Sequence, residues 1–183
     1  MTTEEVLQAW IDLPGKMEIL LFNSMQAGFN ETRRRFNVIN KLLSRKDVGK
    51  VIIKKFSTFS PSNFNSKWDS NTKGKFITDF ALVEFILSQP EVLESLEKGE
   101  KKLLFEKAKQ DIEKKRMFPK EDFDFFWISS GLILCSRILE KENAQFKGAI
   151  QSQKEINEPM KRGEIMSKKE FDALYQKVNE NSF

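Results

Sequence analysis

The chain has 183 residues, 39% hydrophobic and 32% charged, with a net charge of +4, a length and balance that suit one compact helical domain with densely charged outer faces. It contains no His and one Cys, Cys135, which excludes His-based general acid–base catalysis, Ser-His-Asp and Cys-His constellations, His-ligated haem, Cys-rich metal cages and an intrachain disulfide. The opening Met1-Thr2-Thr3-Glu4-Glu5 is acidic and polar where a secretory signal is basic and then apolar, and a lone thiol gives no reason for an oxidising compartment, so the expected location is the cytoplasm.

Thr2 and Glu5 match a capping box, and Val6, Leu7, Trp10 and Ile11 follow on one helical stripe until Leu13-Pro14-Gly15 stops it. Met17, Ile19, Leu20, Leu21 and Met25 predict a second helix that ends at Gly28. Asn30 caps a third, with Phe36, Ile39, Leu42 and Leu43 in its stripe, and Ser44-x-x-Asp47 restarts the chain into a fourth carrying Val48, Val51, Ile52 and Phe56. From Ser57 to Lys75 the pattern breaks: Ser, Asn and Thr dominate, Pro61 and Gly74 interrupt, and Phe59, Phe64 and Trp68 are spaced through it. A long loop near 57–75 is expected, folded back onto the body by its aromatics.

Phe76 to Leu87 is apolar nearly all round, with Phe76, Phe80, Val83 and Leu87 on one line, and predicts a central buried helix. Asp79 and Glu84 within it point about 140° apart at helical pitch, so they cannot easily share a ligand. Pro90 suits the first turn of the next helix. After Gly99, Leu104, Ala108 and Ile112 recur every four residues amid Lys and Glu, the pattern of a surface helix with one buried seam that closes at Met117-Phe118-Pro119. Pro119 then opens another helix, with Glu121, Asp122 and Asp124 where carboxylates complement the macrodipole. Its segment Phe125 to Leu139, the most apolar in the chain, falls short of the roughly 20 residues that span a bilayer and is expected in the core. There Ser129-Ser130-Gly131 allows a neighbouring helix to approach closely, and Cys135 serves as a small hydrophobe.

Beyond Gly148 the chain is polar until Pro159, and Ser167-x-x-Glu170 then caps a last helix with Phe171, Leu174, Tyr175 and Val178 on one face. The expected fold is all-α, a compact multi-helix domain of about seven or eight helices. A helical core domain over 1–148 is followed by a polar linker and a C-terminal helical appendage, docked or free, over 149–183.

Asp69 to Phe80 has the outline of a calcium loop, but Lys73 stands at its fifth position and Phe80 at its twelfth, where the ion needs oxygen and a bidentate carboxylate. Gly163 to Phe171 resembles the second half of such a loop without an acidic first half. No catalytic residue, metal site or cofactor is expected.

The basic segment rises above this background. Arg33, Arg34, Arg35, Lys41, Arg45, Lys46, Lys50, Lys54 and Lys55 stand against Asp47 alone, a local net of +8 in a chain whose total is +4. Lys46, Lys50 and Lys54 repeat every four residues opposite Val48, Val51, Ile52 and Phe56, and therefore face solvent. Such a face attracts anions unless acids from elsewhere in the fold, such as Glu91, Glu94 and Glu97, neutralise it. The expected function is a non-enzymatic protein-interaction or regulatory module that meets a protein partner through the basic face, the aromatic loop or the last helix. The alternative is an RNA- or DNA-binding protein in which the 33–55 segment holds phosphates and Phe59, Phe64 and Trp68 stack on bases.

Overall fold

The computed structural model describes residues 1–11, 40–118, 124–143 and 168–181; among them it is all-helical, with eight helical elements and no strand. Helix α1 (Thr3–Ile11) begins at its capping box, where the Thr2 N–H donates to the Glu5 carboxylate at 2.6 Å and the Glu5 N–H to the Thr2 hydroxyl at 3.1 Å. It packs on α2 (Val48–Thr58), which buries Val48, Gly49, Ile52 and Phe56 along one face. Of the second and third helices expected from the sequence, only residues 40–43 are among those described, and they are helical.

The link from α2 to α3 (Ser70–Leu87) is shorter than the loop expected near 57–75, because α2 runs on to Thr58 and α3 begins at Ser70. A 3-10 turn over Pro61–Asn63 occupies its middle, opened by the Ser60 hydroxyl, which accepts the Ser62 N–H at 3.2 Å. The helix reaches back to Ser70 for two reasons. The Asp69 carboxylate accepts the Thr72 N–H at 2.8 Å, and Phe76 packs among Phe64, Trp68 and Trp127. These interactions outweigh the poor helix propensity of Ser, Asn, Thr and Gly in the first turns. The segment with the calcium-loop outline is therefore a capped helix, and its first carboxylate is the cap.

Short α4 (Pro90–Glu94) carries its proline in the first turn and touches both α2 and α3. Helices α5 (Lys98–Arg116) and α6 (Asp124–Glu142) then run antiparallel along each other. Lys101 pairs with Glu142 at one end, and Lys115 reaches the Trp127 carbonyl at the other. The hub is α6: α3, α5 and α7 (Lys168–Glu180) all pack on it, and from Trp127 to Leu139 every residue except Arg137 is buried. Its neighbour α5 departs from the expected surface helix with one seam. Leu104, Ala108 and Ile112 are buried as the spacing requires, but so are Phe105, Asp111 and Lys115.

The last helix is docked. Leu174 and Val178 belong to the common core, the Tyr175 hydroxyl donates to Glu113 at 2.7 Å and accepts from Arg116, and Lys109 reaches the Asn181 carbonyl at 3.2 Å. The boundary expected at residue 148 lies outside the described residues, as do Gly28, Asn30, Pro119, Glu121, Asp122, Pro159, Gly163 and Ser167. Among the described residues no helix is long and apolar enough to cross a membrane.

Candidate functional site

The basic face is built on α2 and the turn before it. Val48, Ile52 and Phe56 turn one side of α2 into the core, which leaves Lys50 and Lys54 on the other. Gly49 lets α2 seat closely against the α4 region: a Cβ there would lie 2.5 Å from the Ser95 hydroxyl oxygen and 3.2 Å from the Val92 carbonyl oxygen. Lys46 precedes the helix and sits in the turn whose Asp47 carboxylate accepts the Thr3 hydroxyl at 2.5 Å. Arg45 donates to the Met1 carbonyl at 2.8 Å, so both contacts pin the start of α1 to the start of α2.

Of the nine expected binding residues, Lys41, Lys46, Lys50 and Lys54 are exposed, and none of the four forms an ion pair among the described residues. Arg45 and Lys55 are half-buried; Arg45 holds Met1, and the Lys55 ammonium lies 6.0 Å from the centre of the Phe59 ring. Arg33, Arg34 and Arg35 lie outside the described residues. Of the acids expected to neutralise this face, Glu94 accepts from Lys141 at 3.1 Å, and neither Glu91 nor Glu97 forms an ion pair with α2 among the described residues.

The aromatic trio joins the core. Phe64 is 6% exposed, and its ring meets Trp68, Phe76, Phe118 and Trp127 at centroid distances between 5.2 and 6.0 Å. Phe59 sets its edge against Phe80 at 5.7 Å, and Trp68 lies 5.5 Å from Phe76. Both are half-buried. Phe64 therefore has no open face for a base, and its two companions are held by neighbouring rings.

A second concentration of charge lies inside the protein, where Glu84 meets a partner, Lys115, that the sequence pattern does not reveal. Glu84 of α3 and Lys115 of α5 are both 0% exposed and joined at 2.5 Å. Lys115 also donates to the Trp127 carbonyl at 2.6 Å and lies 4.5 Å from the centre of the Phe80 ring. Ser130 donates to the same Glu84 oxygen at 3.0 Å, while Glu84 Oε2 accepts no hydrogen bond among the described residues. Gly131 makes room for the pair: a Cβ there would stand 2.9 Å from Glu84 Oε2, 3.1 Å from Ile112 Cγ1 and 3.3 Å from Lys115 Nζ. One turn before Lys115, buried Asp111 pairs with Lys107 at 2.5 Å, and Lys107 in turn donates to the Phe59 carbonyl at 2.8 Å and lies 4.2 Å from the Phe56 ring centre.

Burial pushes the Glu84 carboxyl up and the Lys115 ammonium down, and each is opposed by the other's charge. One local signal points to this cluster: a Glu in the nearly all-apolar stretch Phe76 to Leu87 needs a cation brought to it by the fold. Asp79, the other acid of that helix, pairs instead with Lys75 at 2.6 Å, so the two carboxylates do take separate partners. Cys135 is fully buried with its thiol 4.0 Å from the Phe105 carbonyl oxygen, and burial holds it protonated, far above the usual thiol range. Among the described residues, no group of three or more Cys, Asp or Glu could hold a metal ion. No family model, curated protein or solved structure matches this chain.

Proposed function

We propose that the protein is a non-enzymatic, cytoplasmic interaction module whose basic face, on α2 and the turn before it, receives an acidic surface of a partner protein. The observation that carries this reading is the exposure of Lys41, Lys46, Lys50 and Lys54 with no ion-pair partner among the described residues. Exposed lysines grouped on α2 and the turn before it raise the local positive potential, which steers and holds an anionic partner. Burial of Phe64 favours a protein over a single-stranded nucleic acid, because the stacking that makes such strands bind is a property of open aromatic faces. A non-catalytic role is supported by the inaccessibility of the Glu84–Lys115 pair, whose side chains are both 0% exposed.

The test compares polyglutamate with single- and double-stranded oligonucleotides of equal charge, at low and rising salt. Polyglutamate should bind the wild type, weaken steeply with salt, and be lost when Lys46, Lys50 and Lys54 are all changed to Glu. A single strand that binds far more tightly than polyglutamate, and that loses about 1 to 3 kcal/mol on Trp68→Ala, would replace this reading with the nucleic-acid one. Absence of all binding at low salt would leave the lysines as an ordinary solvated face and end the proposal.

A further inference from the structure

Beside the lysine face, α1 and α2 run in the same direction with their starts pinned together, and a groove of about 300 Å³ opens between them. Its lining comes from one helical face on each side, Glu4, Leu7 and Gln8 from α1 and Val51, Lys54, Lys55 and Thr58 from α2. Its apolar lining comes from half-buried Val51 and from the little of Leu7, 4% exposed, that reaches the surface. Lys54 and Lys55 stand on the α2 side, and Glu4 and Gln8 on the α1 side. The volume is at the bottom of the range of ligand pockets, about 300 to 1,000 Å³, which suits an inserted side chain better than a cofactor.

We infer that this groove takes one large apolar side chain of an acidic partner segment, whose carboxylates lie along Lys50 and Lys54. The inference rests on the proposed acidic partner and adds to it the anchor that gives specificity. Interfaces place an apolar anchor in a pocket and surround it with polar contacts, and Lys54 and Lys55 beside Val51, with Glu4 and Gln8 beside Leu7, reproduce that arrangement. Charge selects the occupant. A second copy of this chain would bring a like-charged α2 face towards the first, and a phosphate backbone has no apolar group to set against Leu7 and Val51. Glu4 on the opposite wall repels acids, so the carboxylates of the segment are confined to the α2 side and its direction is fixed.

The experiment uses the full chain and two fluorescent Glu-rich peptides, identical except that one has a central Phe where the other has Ser. The Phe peptide should bind at least about tenfold more tightly, the fold-change that burial of one large apolar side chain supplies. Thr58→Trp fills the groove from an exposed position and leaves the charges in place. It should erase that preference and leave the Ser peptide's affinity unchanged, with an unaltered thermal midpoint as the check on folding. Equal binding of the two peptides, lost on Lys50→Glu with Lys54→Glu, would overturn the groove and keep the basic face. Failure of both peptides to bind at low salt would overturn both. A Phe preference that survives Thr58→Trp would place the anchor elsewhere and overturn the groove alone.

Discussion

On α2, Lys50 and Lys54 stand one helical turn apart, exposed and in no ion pair among the described residues, whereas on α5 Lys107, Asp111 and Lys115 keep the same spacing and turn inward, Asp111 and Lys115 buried and Lys107 half-buried. Spacing alone assigns residues to a face; it does not say whether that face meets water. The difference is made by what stands opposite. Facing α5 are Glu84, the carbonyls of Phe59 and Trp127, three aromatic rings and the space left by Gly131. A buried charge so surrounded is tolerable, but its Coulomb attraction does little more than offset desolvation. The inner charges are paired where α3, α5 and α6 meet, and the outer lysines stay at the surface without an ion pair among the described residues.

The largest expected effect attacks the inner pair. Lys115→Met alone leaves Glu84 buried without its cation and should cost about 3 to 5 kcal/mol in urea unfolding, whereas Glu84→Leu combined with Lys115→Met should return stability to the wild-type level or above it. If the pair sets helix register, the double variant should also lose near-ultraviolet circular dichroism from Trp127 while keeping its helix content. A single-variant loss below about 1 kcal/mol would mean that water reaches the pair, and the contrast with α2 would collapse.

Gly131→Ala comes next. The added methyl would press on Glu84 Oε2, Ile112 Cγ1 and Lys115 Nζ at 2.9 to 3.3 Å, and since the Glu84 side chain is held by Lys115 and Ser130, an overpacking cost of about 1 to 3 kcal/mol is expected. No measurable change would show that α6 can step away from α3 and α5. Changing Lys46, Lys50 and Lys54 together to Ala should do much less, staying within about 0.5 kcal/mol of the wild type by the same unfolding measurement. A loss above about 1 kcal/mol would show that these lysines stabilise the fold and are not reserved for a partner.

Much of the framework is legible from local chemistry. The Thr2–Glu5 capping box, Pro90 in a first turn, the Phe80 and Val83 line and the apolar run through Leu139 mark helices that exist where those signals stand. Two features escape local reading. Ser70 to Lys75 looks like loop by propensity, and becomes helix because Asp69 caps it and distant rings hold Phe76 in place. Lys115 looks like one more solvated lysine, because its counter-charge lies 31 residues away on another helix. The basic face is legible as a charge excess, but only the packed structure shows that Glu94 turns to Lys141 and that Lys46, Lys50 and Lys54 form no ion pair among the described residues.

Asp69 stands between the two extremes, exposed like the α2 lysines and partnered like the inner pair, and it yields the smallest predicted effect. The Thr72 backbone N–H, donated at 2.8 Å, holds its carboxyl below the usual carboxylate range; the Thr2 backbone N–H does the same for Glu5. A carboxyl whose folded value lies below its unfolded one contributes stability above the ordinary carboxylate range and loses it as pH falls through the folded value. Asn caps a helix about as well as Asp but does not titrate, so Asp69→Asn should change the thermal midpoint only slightly near neutral pH. The small excess held by the wild type should shrink on acidification, making the acid limb of the variant's stability curve shallower. Glu5→Gln should act in the same sense at α1. Thermal midpoints of the three proteins between neutral and acid pH decide the matter: a wild-type advantage that stays constant as pH falls would show that the charge on Asp69 contributes nothing to its cap.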